Sequence, residues 1–563
     1  MPDLILPGKK TMKRIILFLT TLVLLCTIAK AEELRLDLIF SNDMHGGIDR
    51  SEATFINPDF PPLLGGGGSA ATLIKHIRSL ANDRRDNLLL DAGDIFQGRP
   101  VGTITNGKAV VEFMNAIGYD AMTIGNHEYD IPEEKLMETL QLAQFPVLSC
   151  NIIDKRTGEI PSYIQPYIVV ERLGLKIGIL GFTTTDTEKM SFPENIKNVK
   201  FLSEKEAIDK YVKILRNQEK VDIVIVLGHA GLPYDIVPTY LTRYDAQGNP
   251  LYSERYAVWG YDAQEIAREV EGIDIFIGGH MHKGIPTPWI DPHTHTMVIQ
   301  GYAYGSNLGW ITLKIDPETK TVTGYEVPAV REGSMVTLFE DEFIPDEEIG
   351  EMIAEQVAIA EEGMDEVVGY AGVYLSRTNV DAQSLIGNTI VDAMRAEVGA
   401  DFAFLNLGGV RADIKAGPVT YRDIFQVMPF DNMIVSFRCN GEFLRRIIET
   451  RVEGSRHGLI ISGGKVVYSK KRENFDRVTH FEIGGKPWDP NKIYTVATTD
   501  FIMQGNAGLT MLIQVPQEDI IYHQINLRDA IVHYFQKNSP IMTKIDDRWV
   551  RRDNAKPSPE MLQ

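Results

Sequence analysis

From Leu34 to about Ile315 the chain repeats one arrangement: an apolar run of strand length, polar residues at its end, then a helical pattern. The runs include "LRLDLIF", "NLLLDAGD", "DAMTIG", "LKIGILGF", "VDIVIVLG" and "IDIFIGG", and helix candidates include "SAATLIKHIRSLAND" and "KAVVEFMNAIG". Strands alternating with helices predict a layered α/β domain, because each helix covers a sheet face. In such folds ligands collect outside the carboxyl ends of the strands. This chain places its polar chemistry there. "LIFSNDMHGG" gives Asp43 and His45, "LLLDAGD" gives Asp94, "TIGNHEYD" gives Asn126, His127 and Asp130, "IVIVLGHAG" gives His229, and "IFIGGHMHKG" gives His280 and His282. Taken singly, each is an ordinary turn aspartate, asparagine or exposed histidine. Five strand ends with oxygen or imidazole donors predict a metal site.

Seven of these groups (Asp43, His45, Asp94, Asn126, His229, His280 and His282) match two ions. One bridging carboxylate would give each ion four protein ligands and open positions. Mixed nitrogen and oxygen donors without thiolate suit Zn²⁺ or Mn²⁺, and suit iron as well. Two such ions about 3.5–4 Å apart can clamp an in-line displacement at phosphorus. In "IFIGGHMHKG" the glycines release the backbone, so that the two histidines can reach different ions.

A chain of 563 residues is too long for one ordinary core. The segment "DEFIPDEEIGEMIAEQVAIAEEGMDE", residues 341–366, is acidic with helical periodicity and predicts a linking helix. Beyond it a smaller α/β region has its own strands ("ADFAFLNLGGVRADI", "NMIVSFRCN", "KIYTVATTDFIM") and helices ("SLIGNTIVDAMRAEV", "GEFLRRIIETRVE"). The expected division is 32–340, 341–366 and 367–552, followed by a frayed tail, 553–563. Residues 235–262 are a polar, Tyr-rich insertion in the first domain.

At the other end, the basic Met12-Lys13-Arg14, the apolar Ile15–Ala29 and the small-x-small Ala29-Lys30-Ala31 predict a secretory signal peptide, residues 1–31. The apolar run is short for a membrane span, so no stable anchor is expected. The formal net charge is −20, and loss of the leader makes it more negative. Such a surface excludes nucleic acid and anionic membranes as partners. Any phosphate ester must therefore meet a locally cationic site. Beyond the leader only Cys150 and Cys439 remain, which excludes a disulfide framework and a thiolate site.

The motifs D-x-H, G-D, G-N-H-E, G-H and G-G-H-x-H, in this order, resemble those of calcineurin-like metallophosphoesterases. With the second domain, residues 34–550 resemble the secreted 5′-nucleotidases of bacterial periplasm and animal cell surfaces. The resemblance implies that Asp43, His45, Asp94 and His282 hold one ion. It implies that Asp94, Asn126, His229 and His280 hold the other. His127 and Asp130 match the catalytic pair, although Asp130 also suits a helix cap before Pro132. Of the second domain, the resemblance implies phosphate binding by Arg411 and Arg377, contact near it from Asn406, and a base held between Phe430 and Phe501 beside Asn432. Base stacking of this kind is worth about 1–3 kcal/mol.

Two positions depart from the family pattern. Val380 stands where the family often has a further arginine, and Ala507 stands where an aspartate commonly binds ribose. The expectation is a secreted, periplasmic, dinuclear phosphohydrolase that acts as a 5′-nucleotidase on a small phosphate ester. The departures keep a 2′,3′-cyclic diester, a nucleotide sugar or a sulfur-linked sulfate in view as substrates. A nucleotide-binding protein without turnover is the alternative from another class. The sequence does not fix the oligomeric state.

Overall fold

Successive residues of a strand face opposite ways, and the first apolar run uses both faces. In β1 (Leu34–Ser41), Leu36, Leu38 and Phe40 join one buried cluster and Ile39 joins another. The computed structural model describes residues 32–53, 56–57, 60–251, 260–328, 333–378, 382–430, 432–453 and 458–554. The expected signal peptide, Val380 and most of the C-terminal tail lie outside them. Along the chain follow α1 (Gly66–Ser79), β2 (Arg85–Asp91), α2 (Lys108–Ile117), β3 (Ala121–Thr123), β4 (Val147–Leu148), β5 (Tyr167–Arg172), β6 (Leu175–Thr183), α3 (Glu204–Ile214), β7 (Ile223–His229), α4 (Ala263–Glu269), β8 (Ile275–Gly278), β9 (Met297–Gln300) and β10 (Asn307–Ile315).

Strands β1 to β4 pair in parallel in chain order, and β10 returns to pair antiparallel with β1. A second sheet has the order β9-β8-β7-β6-β5, parallel except for the β5–β6 hairpin, with the short strand Trp289–Ile290 antiparallel at the β9 edge. One apolar cluster contains Leu36, Leu38 and Phe40 of β1, Leu88 and Leu90 of β2, Ile177 and Ile179 of β6, and Ile225 and Leu227 of β7. The two sheets therefore face each other across that cluster. Ile39 and Leu89 point outward to Leu73, Ile74 and Ile77 of α1 and to Val110, Phe113 and Met114 of α2. Val224 and Val226 point outward to Ile208 and Val212 of α3 and to Ile266 of α4. The result is a helix–sheet–sheet–helix sandwich. The helix ends follow local chemistry: α2 stops at Gly118 in the left-handed conformation, and Asp262 with Glu265 forms a capping box that starts α4.

The acidic segment forms α5 (Glu347–Ala360), which starts where Asp346 accepts the Ile349 N–H. Ile349, Ile353 and Ala360 enter the same cluster as α1 and α2. The linking helix therefore rides on the first sandwich. Beyond it come α6 (Leu385–Val398), β11 (Phe402–Leu405), β12 (Met433–Asn440), α7 (Gly441–Val452), β13 (Ile460–Ser462), β14 (Ile493–Thr499), α8 (Asp500–Met503), β15 (Ile520–Asn526) and α9 (Leu527–Asn538). Their sheet has the order β13-β11-β14-β12-β15. Its apolar cluster draws on residues between Val368 and Trp549 and is separate from those of the sandwich. The protein is thus a two-domain α/β fold. Among the described residues no helix is long and apolar enough to cross a membrane.

Candidate metal centre

Both sheets of the sandwich bring their carboxyl ends to one place. Asp43 and His45 follow β1, Asp94 follows β2, Asn126 and His127 follow β3, His229 ends β7, and His280 and His282 follow β8. Two groups able to hold a metal ion form there: Asp43, His45 and His282, and Asp94, His229 and His280. Within each, the donor atoms all lie within 4.8 Å of one another. Asn126 joins the second group, with Oδ1 at 3.1 Å from His229 Nε2 and 2.9 Å from His280 Nδ1. Asp94 lies between the groups, with Oδ2 at 2.9 Å from His229 Nε2 and 4.0 Å from His45 Nε2. All seven residues predicted as ligands are therefore together.

The backbone around them is built for donor geometry. Asp43, His45, Asp94, His280 and His282 have φ between +47° and +73°. Side chains rarely adopt that region, at a cost of order 1–3 kcal/mol each, and such strain collects at functional sites. Gly125 is required by a close approach: a Cβ there would lie 2.1 Å from Asp94 Oδ1. Backbone carbonyls fix two tautomers. His45 Nδ1 lies 2.5 Å from the Gln97 carbonyl and His229 Nδ1 lies 2.7 Å from that of Ala92. Both rings are left with Nε2 turned toward their group, the arrangement by which carbonyl partners orient metal-binding imidazoles.

The charge states agree with this. Burial, helped by neighbouring positive charge, holds His45 well below its usual range and pushes His280 and His282 down to about 3. These rings are neutral, the form a metal binds. Burial pushes Asp43 up to about 6. Burial also opposes charge on Asp94 and His229, but their mutual attraction wins. Asp94 falls well below the carboxylate range, and His229 is held up at about 10. Without a metal, His229 keeps a proton against Asp94, and a divalent ion can replace that proton. Imidazoles with fixed tautomers, carboxylates and an amide oxygen, most of them fully buried, fit divalent metal ions.

His127 stands beside the groups, with its ring centroid 5.3 Å from that of His45. Its Nδ1 lies 2.5 Å from Asp130 Oδ2, and its backbone N–H donates to Asp94 Oδ1. Burial lowers the affinity of this ring for a proton. The charges of Asp130 and Asp94 outweigh that and push it up to about 9. Asp130 serves His127 and not a helix cap, because the next helix starts at Glu133 after Pro132 without a side-chain cap.

Three supports carried no role in the sequence reading. Glu128 is fully buried and accepts three backbone N–H groups: Asp94 and Gly125 on Oε2, at 3.0 and 2.6 Å, and Ile95 on Oε1, at 2.8 Å. It ties the loop after β2 to the loop after β3. Its only sequence signal is its place in "GNHE". Asn42 donates to Asp43 Oδ2 at 2.7 Å. The Tyr304 ring lies 5.2 Å from His45 and 5.4 Å from His282, a contact that sequence does not signal.

The second domain reaches this centre from the loops after β11 and before β12. Phe430 stacks on His127, with centroids 6.0 Å apart and planes at 23°, and the Arg411 guanidinium lies 5.1 Å from the Phe430 centroid. Arg411 is near enough for its charge to disfavour protonation of His45, His127 and His282. Gln97 Nε2 donates to the Pro429 carbonyl across the same boundary at 3.3 Å. Arg377 lies beside Arg411. Its Nη1 donates to the Arg411 carbonyl at 2.8 Å, and its N–H donates to Asp413. It holds the Arg411 loop. Asn406 is half-buried at the start of the tight turn Leu407–Gly409. Asn432 is buried, and its carbonyl accepts the Leu527 N–H. Phe501 is half-buried on α8.

Comparison with known proteins follows these two bodies. Residues 36–284 match the family model described as calcineurin-like phosphoesterase, and residues 367–514 match that of the 5′-nucleotidase C-terminal domain. The chain is 26% identical to the endonuclease YhcR of Bacillus subtilis over 84% of its own length but only 37% of that protein's. It is 27% identical to a 5′-nucleotidase of Vibrio cholerae, over 90% of this chain and 91% of the relative. The crystal structure of a 5′-nucleotidase precursor from Thermus thermophilus superposes with a TM-score of 0.76 at 25% identity, over 92% of this chain and 99% of that one. The chain thus carries a calcineurin-like phosphoesterase domain followed by a 5′-nucleotidase C-terminal domain.

Proposed function

We propose that the protein is an exported, periplasmic phosphohydrolase that releases phosphate from nucleoside 5′-monophosphates. The observation that supports this most is the pair of three-donor groups beside the His127–Asp130 pair. Asp43, His45, Asp94 and His282 would hold one divalent ion, and Asp94, Asn126, His229 and His280 the other. The donor set, with no thiolate, favours Zn²⁺ or Mn²⁺. When bound, such ions neutralise phosphoryl charge and make a water nucleophilic near neutral pH.

The chain's own residues do the rest. His127 has Nδ1 taken by Asp130, which leaves Nε2 for the substrate. The Asp130 carboxylate favours a proton on the ring, so that Nε2–H can donate to a phosphoryl oxygen as negative charge grows. Arg411 supplies a fork of donors to the same group, steadied by Arg377 through its carbonyl. Asn406 would contact the substrate beside Arg411. Phe430, which lies against Arg411 and His127, and Phe501, with Asn432 beside them, would take the base. The expected boundaries, 32–340 for the catalytic domain and 367–552 for the substrate domain, follow the same division.

One observation favours a second substrate on the same scaffold. The Asn506 amide donates to the Phe501 carbonyl at 2.9 Å, and the Ala507 carbonyl accepts from Arg451 at 2.5 Å. The loop is thus held in place by Phe501 and by Arg451 of α7, and Ala507 offers no side-chain acceptor, which favours an ester without a ribose diol, such as a cyclic or deoxy nucleotide.

The test is phosphate release from 5′-AMP by residues 32–563 with Mn²⁺ or Zn²⁺, and with chelator. Chelator-sensitive release that collapses in His127→Ala is the expected result. No release from 5′-AMP, with two metals bound per chain, would move the substrate to cyclic, deoxy or non-nucleotide esters.

A further inference from the structure

Phe192 belongs to the first domain, yet its ring meets Phe501 of the second. The centroids are 6.1 Å apart and the planes stand at 80°. The ring is half-buried and follows the short helix Thr187–Met190. Its neighbours are tied to the loop after β3. Ser191 is buried and donates from Oγ to the Asn126 carbonyl at 3.4 Å, and the Asn195 amide donates to the Tyr129 carbonyl at 3.1 Å. The segment that carries Phe192 is therefore fixed to the loop that carries Asn126 and His127. A near-perpendicular aromatic pair covers at most one face of Phe501, and the ring stays half-buried although it also packs against the second-domain core. The two domains thus touch through aromatic rings twice, once through Phe430 on His127 and once through Phe192 on Phe501.

We propose that Phe192 is a specificity-determining positioning residue: it braces Phe501 from the opposite domain, so that recognition of a nucleotide base is completed only where the two domains meet. This rests on the nucleotidase reading and adds the residue through which the first domain takes part in base recognition. Phe192 acts through Phe501 and not on the phosphoryl group. Its loss therefore weakens binding of the whole nucleotide and spares binding of the phosphate alone.

The test compares Phe192→Ala and Phe192→Tyr with the parent enzyme, all loaded with metal. The readouts are KM and kcat for 5′-AMP and the inhibition constant of inorganic phosphate as a competitive product. In Phe192→Ala, KM for 5′-AMP should rise about 3- to 10-fold, the range of one aromatic pair. The inhibition constant for phosphate and kcat should stay within about two-fold, and Phe192→Tyr, which keeps the ring, should restore KM. An unchanged KM in Phe192→Ala overturns the proposal. So does a parallel rise in KM and the phosphate constant, since that would mean Phe192 only props the Asn126 loop. A parent enzyme with two metals bound that releases no phosphate from 5′-AMP overturns the nucleotidase reading itself, and the proposal with it.

Discussion

Asp43, His45, Asp94, Asn126 and His229 are at most 2% exposed, and each is carried by the end of a buried strand or the loop that leaves it. Arg377, by contrast, is exposed, while Arg411, Phe430 and Phe501 are half-buried on loops or a short helix. The first set is held by secondary structure and paid for in backbone strain. The second set is held by its own members: Arg377 on the Arg411 carbonyl, Arg411 on Phe430, Phe430 on His127. A site of the first kind tolerates little change at any one member. In a site of the second kind, the effect of a change depends on whether the member touches substrate or only a neighbour.

The change that should separate the two kinds most is at Asp94, which lies between both metal groups. Asp94→Asn keeps the shape and removes the charge that both groups share. Phosphate release should fall by about 10³-fold or more, and the metal content of the purified protein, measured by elemental analysis, should drop below two per chain. Full metal content with full activity would show that Asp94 is not shared.

Within the substrate face, Arg411 and Arg377 should part company. On the proposed reading, Arg411→Ala removes donors to the phosphoryl group and should cost about 10²- to 10³-fold in kcat/KM. Arg377→Ala removes a support for the Arg411 carbonyl and should cost roughly ten-fold or less, the usual range of one hydrogen bond, about 0.5–1.5 kcal/mol. Equal losses in the two variants would put Arg377 on the substrate and would break the chain of support described above.

Glu128 sharpens the comparison from the metal side. Its two oxygens accept three N–H groups from the loops that carry Asp94 and Asn126. In Glu128→Gln an amide NH₂ must face at least one of those donors. Metal affinity, titrated against a competing chelator, should weaken about 10- to 100-fold, the usual cost of losing a support behind the ligands. Glu128→Gln with unchanged affinity would mean that the strands alone fix the loops.

These differences also decide what the sequence could disclose. Asp43, His45, Asp94, His229, His280 and His282 are legible because each ends or follows an apolar run, and a strand must deliver its last residues to the sheet's edge. The carbonyls of Ala92 and Gln97 that set two histidine tautomers leave no trace, since any residue has a carbonyl. The hold of Arg377 on the Arg411 carbonyl is illegible for a related reason. An arginine reads the same whether it holds a ligand or a backbone, and only the folded loop tells which. Phe192 lies in "SFPEN", outside every apolar run, and has significance only through a contact made across the domain boundary.

The smallest effect tests how loosely the substrate face is held. Asp500 starts α8, one residue before Phe501, and accepts the N–H groups of Met433 and Phe501. Burial nevertheless pushes its carboxyl up to about 6 from an ordinary 3.8. A folded value above the unfolded one means that its contribution to stability is full below pH 3.8. That contribution is lost as pH rises through 6. At pH 7.5 the ionised carboxylate therefore costs stability, on the order of 3 kcal/mol. Asp500→Asn keeps an oxygen for the two N–H donors and carries no charge to desolvate. Denaturant melts should show variant and parent alike near pH 4, and the variant more stable by that order at pH 7.5. A variant less stable at pH 7.5 would mean that the two N–H donors stabilise the charged form more than burial penalises it. The substrate face would then be as firmly held at this point as the metal centre is at its strand ends.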